Sequence, residues 1–120
     1  MNAVFDSNIL IDYLKAIPQG LVEVDRYSQV SISLITWMEI MAGSKPADVH
    51  ATRKALMTFT CLPISQYVAE RAFVLRRDRK LKLPDAIILA TAQVAGLLLV
   101  TRNTRDFSSS EPQIRIPYQI

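Results

Sequence analysis

The chain has 120 residues, half of them hydrophobic and 21% charged, with a formal net charge of +3. That is the size and balance of one globular domain, and it excludes a disordered polyelectrolyte. A single cysteine, Cys61, and a single histidine, His50, leave no intrachain disulfide and poor support for zinc, Ser/His/Asp or Cys/His chemistry. No apolar run approaches the ~20 residues that span a bilayer and no signal-peptide pattern opens the chain, so a cytoplasmic protein without membrane attachment is expected.

The elements predicted in chain order alternate strand and helix. Ala3 to Phe5 reads as a short buried strand, and Ile9, Leu10, Tyr13 and Leu14 give residues 8–15 a helical spacing. Pro18 and Gly20 mark a turn before a helical stretch over residues 22–27, and residues 30–33 read as a second strand. A helix from Leu34 closes near Gly43, and Pro46 opens another that runs to about Phe59. Residues 61–64 form a plausible third strand. Ser65 is placed to cap a helix through about Lys80, and Pro84 falls in the first turn of an apolar helix that ends at Gly96. Residues 97–100 and 114–116 supply the last two strands. Short apolar strands alternating with helices predict a parallel sheet covered on both faces, with a ligand crevice beyond the strand ends.

Four carboxylates stand out against this framework. Asp6 ends the first strand, Glu39 interrupts the apolar run ITWMEIMAG, Asp85 heads the helix LPDAIILATA, and Asp106 follows the strand in LLLVTRNTRDF. Each has a structural use: Asp6 as a cap, Asp85 as a complement to a helix dipole, Glu39 as a solvent-facing break, Asp106 as a turn residue. Together they point elsewhere. Glu39 has Trp37, Met38, Ile40 and Met41 around it, which predicts partial desolvation, and buried charges persist mainly when paired or metal-bound. Four acids at one set of strand ends repel unless a cation lies among them. Oxygen-only ligands suit Mg²⁺ or Mn²⁺ and metal-assisted phosphodiester hydrolysis.

The set MNAVFDSNILIDYL, SISLITWMEIMAG, LPDAIILATA and LLVTRNTRDF resembles, in family order and over nearly the whole chain, the PIN-domain family of VapC/FitB-like ribonuclease toxins. The resemblance implies a single domain over residues 1–120, a three-layer α/β/α sandwich around a mainly parallel sheet of four to five short strands. It implies that Asp6, Glu39, Asp85 and Asp106 are the metal-binding and catalytic acids, the fourth position being the most variable in the family. Ser7, Asn8, Ser33, Thr36 and Asn103 follow as polar supports. It further implies a Mg²⁺ cofactor that Mn²⁺ can replace, a structured RNA substrate such as tRNA or rRNA, a homodimer, and a VapB-like antitoxin whose C-terminal segment fills the active-site groove.

Charge is unevenly placed: residues 1–60 carry five Lys/Arg against six Asp/Glu, and residues 61–120 carry nine against five. The second half is where a polyanion would be drawn. Arg76, Arg77, Arg79, Lys80 and Lys82 precede Asp85, and Arg102 and Arg105 flank Asn103, so all seven are candidate RNA or antitoxin contacts. Their plain alternative is a solvated helix end. Ser33 is equally a helix cap and Thr36 either a cap or a support. Two other functions compete with a nuclease. A catalytically silent PIN scaffold would bind RNA or antitoxin without cutting, and retention of all four acids weighs against it. A phosphatase built on an N-terminal aspartate lacks its second acid, because Asn8 stands where that acid belongs, and a receiver domain lacks both an acidic pair after the first strand and a lysine after the last.

Overall fold

The computed structural model describes residues 1–120. Five strands and six helices alternate as β1 (Asn2–Phe5), α1 (Ser7–Leu14), α2 (Pro18–Asp25), β2 (Gln29–Ser33), α3 (Leu34–Ala42), α4 (Val49–Leu56), β3 (Thr60–Leu62), α5 (Gln66–Arg79), α6 (Leu83–Ala95), β4 (Leu98–Val100) and β5 (Ile114–Arg115). The strands form one parallel sheet in the order β3-β2-β1-β4-β5. β1 is central, and the chain leaves it first toward β2 and later returns to β4 on its other side. The strand ends of β1 and β4 therefore flank the switch point where parallel sheets open a crevice.

Strand side chains alternate between two cores, as a pleated sheet covered on both faces requires. Ala3, Phe5, Ile32 and Val100 pack with Ile9, Leu10, Ile40 and Leu56 under α1, α3 and α4. Val4, Leu99 and Ile114 pack with Val68, Leu75, Ile88 and Leu89 under α5 and α6. No helix is long and apolar enough to cross a membrane.

Local signals set the helix ends. The Ser33 hydroxyl accepts the Ile35 N–H at 3.2 Å and heads α3, and the Ser65 hydroxyl accepts the Val68 N–H at 3.2 Å and heads α5. Pro84 sits in the first turn of α6, and Gly96 ends that helix at φ 68°, a left-handed conformation that glycine takes without steric penalty.

Three expectations are corrected. Pro18 and Gly20 do not form a turn: Pro18 opens α2 and Gly20 lies buried within it. A Cβ on Gly20 would come within 2.9 Å of the Tyr13 backbone nitrogen, so glycine lets α2 press against α1. The helix begun by Pro46 is broken into a 3₁₀ turn, Pro46–Asp48, and α4, which stops at Leu56 instead of Phe59. The third strand is Thr60–Leu62, shorter and one residue earlier than its apolar letters indicate, because its register is set by pairing with residues 31–33.

Candidate active site

Asp6 is the first residue past β1 and heads α1. It is 4% exposed. One carboxylate oxygen accepts the Ser7 N–H at 2.7 Å, and the other accepts the Thr101 hydroxyl at 2.7 Å and the Asn8 amide at 3.4 Å. Its own N–H donates to the Val100 carbonyl at 2.9 Å. β1, α1 and the end of β4 thus fix this carboxylate together. Burial pushes its pKa above the usual aspartate range, the bonds from Thr101 and Ser7 pull it back, and the nearby charge of Glu39 pushes it up again.

Glu39 projects from α3, where its Oε1 accepts the Ser7 hydroxyl at 2.8 Å. It is exposed, contrary to the desolvation expected from its apolar neighbours. Successive helical residues are rotated by about 100°, so Ile40 turns into the core while Glu39 does not. Asp85 lies in the first turn of α6. Burial first, then the charges of Asp6, Asp106 and Glu39, and finally a hydrogen bond shared with Asp106, raise it to about 6. Glu39, Asp85 and Asp106 border one cleft, and Ser7 bonds both Asp6 and Glu39, which brings the four acids into one neighbourhood.

Asp106 comes from the loop between β4 and β5. Its Oδ2 accepts the Asn103 amide at 3.0 Å, and its N–H points at Asn103 Oδ1 at 3.4 Å. Glu39, Asp85, Asn103 and Asp106 line a cleft of ≈ 330 Å³ with Lys82, Arg105 and Pro84, the last its one apolar side chain. Asp6 is buried and does not line this cleft. A second groove of ≈ 440 Å³, edged by Ile11, Leu14, Lys15, Ile40 and Lys45, shares Glu39 with the cleft.

The donor set is all oxygen, which suits a hard cation. No three Asp, Glu, His or Cys side chains stand close enough to enclose an ion by themselves. One or two of these carboxylates would suffice to hold Mg²⁺, an ion that keeps several of its waters.

The supports expected from the sequence divide. Ser7, Asn8 and Asn103 bond to acids, whereas Ser33 caps α3. Thr36 does neither: it is fully buried and its hydroxyl is the only buried side-chain polar atom without a partner. The basic residues also divide. Arg77 pairs with Asp78 and lies 5.2 Å from the Phe73 ring, Arg79 pairs with Glu111, and Arg76 and Lys80 are exposed on α5 and its end. Only Lys82 and Arg105 line the cleft, and neither forms an ion pair. Arg102 turns away to bind Asp12 through Nε at 2.7 Å and Nη2 at 3.0 Å.

Three further residues of this neighbourhood carry only faint signals in the sequence. Thr101 bonds Asp6 directly; the strand-ending hydroxyl was its only signal. Asp12 is 2% exposed on α1, and a lone carboxylate in the apolar run NILIDYL was the clue. Tyr118 donates to Asp12 at 2.7 Å from the C-terminal tail, a contact nothing local announces.

Residues 3–110 match the family model of the PIN domain. The chain belongs to the PIN domain family. This PIN domain is 29% identical over 123 residues to Ribonuclease VapC10 of Mycobacterium tuberculosis, spanning 96% of this chain and 92% of that protein. It superposes on a chain of a toxin-antitoxin complex from Klebsiella pneumoniae with a TM-score of 0.92 and 50% identity, over 98% of this chain and 99% of the other. The fold is shared with FitAcB from Neisseria gonorrhoeae at a TM-score of 0.79 and 22% identity, over the full length of both chains.

Proposed function

We propose that this PIN domain is the toxin of a type II toxin-antitoxin system and acts as a Mg²⁺/Mn²⁺-dependent endoribonuclease on structured RNA, tRNA or rRNA. The observation that carries the reading is one polar cleft lined by three acids, Glu39, Asp85 and Asp106, and two unpaired cations, with a fourth acid, Asp6, joined to Glu39 through Ser7. The name of the ribonuclease relative and the toxin-antitoxin origin of the superposed chain support it.

Asp6, Glu39, Asp85 and Asp106 would hold the metal. A bound dication supplies a lowered pKa for the attacking water and neutralises charge on the phosphorus-bound oxygens. The chain does the rest. Thr101 and the Ser7 N–H hold Asp6 still, and Ser7 tethers the exposed Glu39. Lys82 and Arg105 meet phosphates flanking the scissile one, giving salt-sensitive and sequence-tolerant binding. The ≈ 440 Å³ groove beside Glu39 has the mixed apolar and lysine edge that a C-terminal segment of a VapB-like antitoxin would fill. The protein acts as a homodimer.

The test is Asp6→Asn. Asparagine keeps the shape and an acceptor for Ser7 N–H, so the circular dichroism spectrum is expected unchanged while Mn²⁺-dependent RNA cleavage falls about 100-fold or more, as loss of a group central to charge stabilisation does. Cleavage by the variant at the wild-type rate refutes the role of Asp6. A wild-type protein that binds RNA but takes up no Mn²⁺ and cuts nothing is instead the silent scaffold.

A further inference from the structure

We propose that Asp12, Arg102 and Tyr118 form a latch that positions the β4–β5 loop, and with it Asn103 and Asp106, against Asp85; the inference rests on reading the acidic cleft as a metal centre. Asp6, Glu39 and Asp85 are placed by a strand end and two helices. Asp106 is not, because Thr101 to Phe107 lacks helix and strand. Something else must set that loop's position.

Helix α1 supplies it from one face. Asn8 and Asp12 are four residues apart and so lie one above the other. Asn8 Oδ1 accepts the backbone N–H of Arg102 at 3.2 Å, and Asp12 takes the guanidinium of the same residue through two bonds of 2.7 and 3.0 Å. Arg102 is thus gripped at its backbone and at its far end. The Tyr118 hydroxyl closes the arrangement on Asp12 at 2.7 Å.

From Arg102 the order passes along the chain. The Asn103 N–H donates to Thr101 Oγ1 at 3.1 Å, the Phe107 N–H donates to the Asn103 carbonyl at 3.1 Å, and Phe107 is buried at the loop's end. Asn103 then orients Asp106 through its side chain. A bidentate guanidinium and carboxylate fix direction as well as distance, which a lysine cannot reproduce. Arg102 and Asp12 are therefore positioning residues, and Arg102 is not an RNA contact.

The experiment uses the full chain and the variants Asp12→Asn, Arg102→Gln, the double variant and Arg102→Lys. Mn²⁺ titration without RNA is expected to show binding about 10-fold weaker in each of the first two, the range lost when a partner of a metal ligand is removed. The double variant is no weaker than either, since both changes break one contact, and Arg102→Lys restores only part. Amide exchange is expected to quicken over residues 103–107 and not in β1 or α6. Unchanged Mn²⁺ affinity and exchange with only a lower Tm would overturn the latch and leave a merely structural pair. An Arg102→Gln variant that raises KM for RNA while Asp12→Asn behaves as wild type would overturn it in favour of direct RNA contact. Absence of Mn²⁺ uptake by the wild-type protein would defeat the metal reading instead, and loop exchange unaltered by Asp12→Asn would then defeat the latch separately.

Discussion

Replacing Asp85 by asparagine is expected to make the protein more stable as well as inactive, and the gain is expected to depend on pH. Asp85 titrates at about 6 in the fold against 3.8 for an ordinary aspartate. The raised value means that the folded state binds the proton more tightly than the unfolded chain does. The stability this group contributes is therefore complete below pH 3.8 and is lost as pH rises through 6. At 1.36 kcal/mol per pH unit the gap corresponds to at most about 3 kcal/mol. Asp85 borders an open cleft, and solvent screening at such a half-exposed carboxyl brings the figure to about 1.5 kcal/mol. For a domain of this length that is a Tm difference of about 6 °C. Thermal melts of wild type and Asp85→Asn in metal-free buffer should thus nearly coincide near pH 4 and diverge by about that amount at pH 7, the variant melting higher. Comparing the two proteins at each pH removes the effect of other titrating groups, such as Asp12, whose loss of stability runs the opposite way as pH falls. Mn²⁺ should close the gap by raising the wild type more than the variant. A difference that stays flat from pH 4 to 7 would refute the like-charge crowding on which the site depends.

Two further outcomes follow from other parts of the molecule. Lys82→Ala and Arg105→Ala should each weaken RNA binding evenly across sequences and lower the slope of log affinity against log salt by about 1, measured by filter binding or anisotropy; an unchanged slope would remove that residue from the phosphate path. Gly20→Ala should cost about 2 kcal/mol in denaturant unfolding, because the new methyl meets the Tyr13 backbone at 2.9 Å and main chain cannot swing aside as a side-chain tip does; a neutral result would mean that α1 and α2 part easily.

Much of this architecture is written locally, and where it is not, the missing information is tertiary. Ser33 and Ser65 can be read as helix heads because a hydroxyl that accepts a backbone N–H two or three residues on needs no other part of the chain. Asp6 and Asp85 each have an ordinary structural use, and they are visible because they occur together with Glu39 and Asp106 at the ends of apolar strands and helices. Pro18 and Gly20 mislead because the same letters that punctuate a turn also serve to open a helix and to let two helices touch, and only the α1–α2 packing decides which. Glu39 misleads for a related reason. Neighbours in sequence are not neighbours on a helix, and the apolar letters around it face other directions. Arg102 is the plainest case: it adjoins Asn103 in the chain, yet its partner lies 90 residues away in α1.

The destination of Arg102 bears on why the acids are left crowded. Asp12 is as deeply buried as Asp6, and burial pushes its pKa up too. The hydrogen bonds and charge of Arg102, with the Tyr118 hydroxyl, nonetheless bring it below the usual aspartate range. Glu23, equally buried, receives Arg115 through two bonds of 2.8 and 3.1 Å. Two buried carboxylates away from the cleft, Asp12 and Glu23, are thus each paired with an arginine. Arg102 stands four residues from Asp106 and is spent on α1, while Asp6 and Asp85 receive no cationic partner and titrate high. A chain selected only for stability gains by turning such an arginine toward the unpaired acids. On the proposed function, withholding Arg102 leaves Asp6 and Asp85 to be neutralised by a bound dication.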